Sequence, residues 1–440
     1  MNNLTQHKPS RIRFRMLALV FVNVVINYMD RSNISIAAAA LTKDLTLSSV
    51  QMGYIFSAFG WTYAALQIPG GLLVDRLGPR IIYTVSLITW SATTLLQGFA
   101  NSFSALFGLR LATGAFEAPA FPTNNRIVTT WFPDSERASA IALYTSGQFV
   151  GLAFLTPVLV TLQYYLGWRG LFIITGIAGI IWGVVWYLFY RDPTQHKQVN
   201  KAELEHIENG GGLIYRKTIE GEKTTVPFTR HQFKQVFSYR KLWGIYIGQF
   251  AVNATLWFFL TWFPTYLVQY RGFDFLKTGF LASAPFLAAF AGLLLSGFFS
   301  DFLVKKNVSL HIARKAPVIT GLLLSVSIIG ANYVDSKLWI ILFMCLAFFG
   351  NGMASIAWVF VSALAPKHLI GLTGGVFNFI GGLASIVVPL VIGYLVKDGN
   401  FAPALVFIGI IALAGAGSYI FFVGKIERIV LKNGDAEIRK

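Results

Sequence analysis

MLALVFVNVVINYMDRSNISIAAAAL, residues 16–41, is an apolar stretch long enough to cross a bilayer as one helix. Two adjacent charges, Asp30 and Arg31, interrupt it past its midpoint. A charge at the centre of a spanning helix costs at least ~2.5 to 3.5 kcal/mol, so a chain that keeps two of them is expected to use them. Arg110 and Glu117 lie in a second apolar stretch. These four residues form the candidate functional core.

The composition indicates a polytopic membrane protein. Of the 440 residues, 55% are hydrophobic and 12% are charged, whereas soluble domains carry about 25% charged residues. The net charge of +17 does not indicate nucleic-acid binding, because the basic residues fall in short loops and tails rather than on one face. Cys345 is the only cysteine in the sequence, which excludes disulfides and thiolate metal clusters.

Apolar windows predict an all-α polytopic membrane protein with 12 transmembrane helices. The predicted spans lie near residues 16–41, 51–74, 81–99, 103–125, 138–161, 169–190, 242–267, 277–299, 316–334, 338–365, 370–396 and 401–424. Residues 191–241 are the longest polar stretch and predict a linker with a short surface helix at Lys201–Glu208.

The same pattern predicts the domain organisation. We expect an N-terminal six-helix bundle at 1–190, a cytoplasmic linker at 191–241, a C-terminal six-helix bundle at 242–424 and a cytoplasmic tail at 425–440. Most Lys and Arg residues fall in the two tails, the linker and alternate loops, which predicts that both termini are cytoplasmic.

The two halves repeat one another. GLLVDRLGPR at 71–80, after the second span, is echoed by GFFSDFLVKK at 297–306, after the eighth. Small residues and a proline also recur in spans five and eleven, at Gly147, Gly151, Pro157, Gly375, Gly381 and Pro389. Two pseudo-symmetric six-helix bundles with a site between them are typical of secondary transporters.

These motifs resemble a known family. The 71–80 loop resembles the signature loop of the major facilitator superfamily, and RLATGAFEAP at 110–119 resembles the fourth-helix motif of its anion:cation symporter family. Four further runs extend the resemblance to the sugar-acid:proton symporters of that family: NYMDR at 27–31, FPTNNR at 121–126, YTSGQF at 144–149 and GGVFN at 374–378.

The resemblance implies a proton-coupled symporter of the bacterial inner membrane. It would import a sugar-acid anion, D-galactonate or a related hexonate, by alternating access, with the N-terminal bundle as the proton-coupling side. In this family the signature loops gate by contacts between helix ends, which implies gating roles for Asp75, Arg76, Arg80 and Asp301. Arg126, near the cytoplasmic end of span four, is expected to be a gate or topology residue.

The charged residues themselves suggest how coupling works. Arg110 and Glu117 are two helical turns apart, so they project from one face, and Gly114 between them leaves room for a neighbouring helix or a ligand. The six histidines fall in tails or loops, which leaves Asp30 and Glu117 as proton-coupling residues. An anionic substrate that captures Arg31 or Arg110 would release a carboxylate to take a proton. A buried ion pair can also serve only to join two helices.

Neutral polar residues are expected to complete the substrate site. Tyr63 and Gln148 lie near the membrane centre, where unpaired polar groups are costly. The family pattern adds Ser355, Trp358 and Asn378 from the second half, although each can also be a packing residue. The pattern has a threonine where this chain has Ala357, so a hexuronate or glucarate stays open as the substrate.

Other function classes have less support. No phosphate-binding loop is present, because Gly424-Lys425 is followed by Ile426, so ATP hydrolysis is not indicated. The sequence shows no nucleophile or metal constellation for an enzyme and no large output domain for a nontransporting membrane sensor. An exporter of the same superfamily remains an alternative. We expect no cofactor other than coupling protons, no metal, contacts with membrane lipids and a monomeric state.

Overall fold

The computed structural model describes residues 8–214, 230–366, 369–397 and 399–429. Its α-helices are Ile12–Asp44 (α1), Ser49–Leu77 (α2), Pro79–Gln97 (α3), Phe103–Glu117 (α4), Ala120–Trp131 (α5), Asp134–Phe189 (α6), Lys201–Asn209 (α7), Arg230–Ser238 (α8), Arg240–Thr261 (α9), Phe263–Thr265 (α10), Phe275–Lys305 (α11), Leu310–Ser325 (α12), Lys337–Ala354 (α13), Val359–Leu364 (α14), Ile370–Gly382 (α15), Ala384–Leu395 (α16) and Ala402–Phe421 (α17). Short 3-10 segments lie at Pro193–Gln195, Val326–Tyr333 and Ser355–Trp358, and a π-helical turn lies at Tyr266–Tyr270.

Apart from α7 and α8, the described helices group into twelve segments at the positions predicted for the twelve spans. Gly167, with φ 69 and ψ 174, breaks α6 into two consecutive spans, because glycine adopts a positive φ without a steric penalty. Consecutive short helices build other spans, namely α4–α5, α9–α10, α13–α14 and α15–α16.

Among the described residues, seven helical stretches are long and apolar enough to cross a membrane, judged by length and composition alone. They are Ile12–Asp44, Asp134–Phe189, Gly279–Ser300, His311–Tyr333, Lys337–Val361, Leu372–Leu395 and Ala402–Phe421. Helix α12 begins at Leu310 rather than near residue 316, so His311 lies in a first helical turn and not in a loop. Polar residues extend this helix beyond its apolar span.

The chain divides into two compact units by its internal contacts. The first unit comprises residues 1–47 and 58–224, and the second comprises residues 48–57 and 225–440. The first two turns of α2 therefore belong to the second unit. There Gly53 packs against the backbone of Pro389 and Gly393, and the Tyr54 and Tyr394 hydroxyls lie 3.1 Å apart.

The predicted linker helix exists as α7, but it is anchored by a buried side chain. Glu203 is fully buried, and its carboxylate accepts hydrogen bonds from the backbone N–H of Ile12 (3.0 Å) and Arg13 (3.1 Å) at the start of α1. The Arg13 guanidinium contacts both Glu203 (3.2 Å) and Glu136 of α6 (2.9 Å). Helix α7 is thus held to the ends of two helices of the first unit.

The other linker helix, α8, packs in the second unit. Val236 is fully buried in a hydrophobic cluster of that unit. Its carbonyl accepts a hydrogen bond from the Tyr246 hydroxyl (3.3 Å), and the Trp243 indole N–H donates to the carbonyl of Phe237 (2.9 Å). The linker therefore belongs to the second unit from α8 onward.

Candidate functional site

The four charged residues of the candidate core lie inside the first unit. Their exposed fractions are 1% for Asp30, 6% for Arg31, 1% for Arg110 and 0% for Glu117. Helix α1 carries Asp30 and Arg31, and α4 carries Arg110 and Glu117. Charges buried this deeply are stable only when other groups pair with them or form hydrogen bonds with them. Their partners therefore indicate what each charge can do.

Arg31 pairs with Glu117. The Arg31 Nη2 atom lies 2.5 Å from Glu117 Oε1, and Arg31 Nε donates to the same oxygen at 2.6 Å. The guanidinium carbon lies 4.8–4.9 Å from the ring centroids of Tyr28, Phe59 and Tyr63. Stacking on aromatic faces suits a guanidinium better than an ammonium. The ion pair joins α1 to α4 inside an aromatic enclosure.

Asp30 is held by neutral donors. The Trp90 indole Nε1 donates to Asp30 Oδ2 at 3.0 Å, and the Asn33 amide Nδ2 donates to Asp30 Oδ1 at 3.3 Å. Asn33 also donates to the Thr175 hydroxyl at 2.8 Å. Within the part of the chain that the structure describes, Asp30 forms no ion pair. The two candidate proton carriers thus have different partners, an arginine for Glu117 and neutral groups for Asp30.

Arg110 is buried without a hydrogen-bond partner for two of its nitrogens. Among the described residues, nothing accepts a hydrogen bond from its Nε or Nη2. Its guanidinium carbon lies 5.3 Å from the centroid of the Phe59 ring. A buried cation with free donors is suited to an anionic ligand.

Gly114, between Arg110 and Glu117, makes room for a helix and not for a ligand. A Cβ at this position would lie 2.2 Å from the Phe59 carbonyl oxygen and 2.6 Å from the Thr62 hydroxyl. The Thr62 hydroxyl itself donates to the Leu111 carbonyl at 2.6 Å. Gly114 therefore brings α2 against α4 and places Phe59 beside both arginines.

The neutral residues expected in the substrate site are divided between the units. In the first unit, Tyr63 is half-buried and stacks on Phe59 at 5.1 Å, and Gln148 is half-buried on α6. In the second unit, Ser355 donates to the Asn351 carbonyl (3.0 Å), the half-exposed Trp358 ring meets Phe377 at 4.9 Å, and Asn378 is exposed on α15.

The expected gating residues lie at helix ends. Asp75 and Arg76 are exposed at the end of α2. Arg80 donates to the Tyr187 carbonyl at 2.9–3.1 Å and lies 4.1 Å from the centroid of the Tyr187 ring, which joins α3 to the end of α6. Arg126 is half-buried on α5, and the side chain of Asp301 lies outside the described part of the structure. Gating roles for these five residues stay predictions.

Sequence reasoning missed the residues that surround the charges. Asn33 follows Asp30 by one helical turn, and Tyr28 belongs to the run NYMDR, so both had a signal in their spacing. Trp90 had none, because it lies on another helix 60 residues away. No group of His, Cys, Asp or Glu that could hold a metal occurs among the described residues.

Comparisons with known proteins identify the family to which this chain belongs. A family model described as Major Facilitator Superfamily matches residues 20–389. The chain is 54% identical over 422 residues to a D-galactonate transporter of Escherichia coli O6:H1 (strain CFT073), which covers 96% of this chain and 98% of the relative. It is 45% identical over 437 residues to a probable galactarate/D-glucarate transporter of Bacillus subtilis (strain 168), which covers 98% of this chain and 96% of the relative.

A solved structure shows the same fold at low sequence identity. The crystal structure of a D-xylose-proton symporter superposes with a TM-score of 0.73 at 13% identity, and the match covers 94% of this chain and 98% of that one. The predicted twelve-helix transporter fold is therefore confirmed. On the family match and the full-length similarity to its relatives, this chain belongs to the Major Facilitator Superfamily of membrane transporters.

Proposed function

We propose that this protein is a proton-coupled symporter that imports a sugar-acid anion, D-galactonate or a related hexonate, across the bacterial inner membrane. The observation that carries the proposal is the buried quartet of the first unit, in which Arg31 is paired and Arg110 keeps free donors. Two relatives, a D-galactonate transporter and a probable galactarate/D-glucarate transporter, support the substrate class.

The charge balance of the quartet gives a reason for coupling. Two arginines and two carboxylates sum to zero when all four are ionised. A bound carboxylate anion leaves one uncompensated negative charge in a region where isolated charges are costly. Protonation of Asp30 or Glu117 restores neutrality. A carrier with this composition therefore takes up an anion and a proton together.

We infer different roles for the two arginines from their contacts. Arg110 has free Nε and Nη2 donors, so it offers the first contact for a substrate carboxylate. Arg31 can turn toward the same anion only as its contact with Glu117 loosens. Glu117 then loses the cation that favours its charged form and binds the proton. Substrate and proton therefore stabilise one another.

The neutral residues recognise the rest of the substrate. We assign Tyr63, Gln148, Ser355, Trp358 and Asn378 to the hydroxylated chain of a sugar acid. Dicarboxylates are the second candidate substrate class, because several relatives are named for galactarate and D-glucarate. A dicarboxylate needs a second cation, and Arg31 becomes available for it only after its ion pair with Glu117 is broken. This favours a monocarboxylate.

Energetics allow one or two protons for each substrate. Tenfold accumulation of a solute requires about 1.4 kcal/mol. One charge moved through 100 mV provides about 2.3 kcal/mol. One proton makes transport of a monovalent anion electrically neutral, and a second proton adds the membrane potential as a driving force. The remaining parts of the proposal are that both termini are cytoplasmic, that the protein is a monomer and that protons are the only coupling ion.

The test is uptake of hexonates, hexuronates and hexarates by proteoliposomes under an imposed pH gradient. We expect the wild type to accumulate a hexonate. We expect Glu117→Gln and Asp30→Asn to exchange substrate across the membrane without accumulating it. If both variants accumulate substrate as well as the wild type does, the coupling assignment is wrong. If the wild type accumulates only hexarates, the coupling stands and the substrate assignment is replaced.

A further inference from the structure

The surroundings of Asp30 contain an arrangement that the transport proposal does not use. The carboxylate is enclosed by three helices of the first unit, its own α1, α3 and α6. Helix α3 contributes the Trp90 indole N–H, which donates to Oδ2 at 3.0 Å. The Asn33 amide donates to Oδ1 at 3.3 Å. Each carboxylate oxygen therefore has its own donor.

The orientation of the Asn33 amide is fixed by its second partner. The Thr175 hydroxyl donates to the Leu171 carbonyl at 2.8 Å, so its oxygen is an acceptor toward Asn33. An amide turned by half a rotation would present its oxygen to Thr175 and to Asp30. The Thr175 proton is already donated to Leu171, and the ionised Asp30 carboxylate has no proton to donate. The chain Thr175, Asn33, Asp30 therefore keeps an N–H directed at the carboxylate.

The Trp90 indole is also held in place. The residue is fully buried, and its ring lies 6.2 Å from the ring of Tyr83. On α6, Gly179 brings Ser91 close, because a Cβ there would lie 2.1 Å from the Ser91 hydroxyl and 3.9 Å from Asp30 Oδ2. The α3 and α6 backbones are thus packed closely around Asp30. This leaves the indole N–H little freedom to turn away.

Among the described residues, the charged groups that face Asp30 from another helix are on α4. Glu117 and Arg110 of α4 act on it electrostatically, with opposite signs. The groups of α3 and α6 that surround Asp30 among the described residues, Trp90, Ser91 and Thr175, are neutral. Hydrogen bonds to a carboxylate favour its charged form. Trp90 and Asn33 are therefore the groups that directly stabilise the deprotonated state of Asp30.

We propose that Trp90 and Asn33 are positioning residues that set the pH range over which Asp30 binds and releases its coupling proton. The proposal rests on the proposed symport. When the Asp30 carboxylic acid passes its proton to water, the carboxylate that remains accepts the two N–H groups. Because these donors are neutral and fixed, their own contribution to the proton affinity of Asp30 does not change when an anion occupies the arginines. The substrate-dependent part of coupling then comes from the charged groups, Arg110 and the Arg31–Glu117 pair.

The experiment compares Trp90→Phe with Trp186→Phe in proteoliposomes, with uptake measured as a function of pH at a fixed pH gradient. Trp186 is a matched control, since it is fully buried in the same unit and its indole N–H has no acceptor among the described residues. Loss of one hydrogen bond to a charged group shifts a titration by about one to two pH units. We expect Trp90→Phe to move the uptake profile by that amount toward higher pH. The Trp186→Phe profile should stay at the wild-type pH.

A second variant keeps the test decisive if Trp90→Phe does not fold. Thr175→Val removes the acceptor that orients Asn33 and changes little volume, and it is expected to shift the profile in the same direction by a smaller amount. In both variants the apparent substrate KM at the optimum pH should be unchanged. A lower rate at an unshifted pH optimum would show that Trp90 and Asn33 only pack, and would overturn the proposal. Failure of the wild type to couple uptake to protons would instead overturn the proposed function.

Discussion

Replacement of Gly114 by alanine tests the packing on which the candidate site depends. The added Cβ would lie 2.2 Å from the Phe59 carbonyl oxygen, whereas real Cβ contacts essentially never fall below 3.0 Å. Backbone atoms cannot rotate away, so α2 and α4 must separate. Overpacking of this kind costs about 1 to 3 kcal/mol. The gain in helix propensity from glycine to alanine offsets only roughly 0.5 to 1 kcal/mol of it.

The consequence for transport follows from what α2 carries. Phe59 and Tyr63 lie against the Arg31 guanidinium at 4.9 and 4.8 Å, so a displaced α2 loosens the enclosure of the Arg31–Glu117 pair. We therefore expect Gly114→Ala to lower both the thermal unfolding midpoint in detergent and the rate of substrate uptake.

Gly108 provides the matched control on the same helix. A Cβ at Gly108 meets nothing within 4 Å, so Gly108→Ala should leave the unfolding midpoint unchanged or raise it. Measurement of both variants by a thermal shift assay and by uptake separates packing from a general effect of alanine. Equal unfolding midpoints for Gly114→Ala and the wild type would refute the close α2–α4 contact.

Two further predictions concern charged side chains. Burial opposes ionisation of Glu203, but hydrogen bonds from Ser10, Arg13 and Ile12 hold the pKa of its carboxyl below the ordinary value of 4.5. The ionised carboxylate therefore contributes fully to the free energy of unfolding above pH 4.5. This contribution is lost as the pH falls through the lowered pKa. Glu203→Gln should lower the free energy of unfolding by about 1.5 to 3 kcal/mol and reduce this acid sensitivity in denaturation curves, whereas Glu205→Gln, at an exposed position of α7, should do neither. Arg31→Lys should lower kcat/KM for uptake by roughly 10- to 100-fold, because an ammonium lacks the planar guanidinium that donates from Nε to Glu117 while it stacks on three rings; uptake at the wild-type rate would show that Arg31 acts only as a point charge.

The helix face on which a residue lies could be predicted from the sequence. A helix has about 3.6 residues per turn, so residues seven apart lie on one face, and Arg110 and Glu117 are both buried on α4. Gly114 was expected to admit either a neighbouring helix or a ligand, and its contact with Phe59 shows that it admits a helix. The repeated halves and the signature motifs predicted the superfamily in the same way, because each is a short run of neighbouring residues that can be recognised without knowing which helices pack together.

Rotation of one helix against another could not be predicted. Nothing in the sequence shows that Arg31, and not Arg110, pairs with Glu117, or that Asp30 meets Trp90. These pairings depend on which faces of separate helices meet. A membrane helix is apolar all round, so its sequence has little periodicity that would show which face packs against a given neighbour. The docking of α7 was missed for a related reason. Glu203 lies among other charged residues, a pattern typical of a solvent-exposed helix, and only the structure shows its partners on α1.

The two ends of the linker have different attachments, and this affects where the polypeptide can be divided. Up to Ile214 the linker includes α7, which Glu203 fastens to α1, and from Arg230 it includes α8, which Val236 fastens to the second unit. A gene split between these positions encodes two fragments that each retain their own docked helix. A split a few residues before Lys201 would place α7 on the C-terminal fragment. The start of α1, on the N-terminal fragment, would then no longer be covalently linked to the helix that carries Glu203.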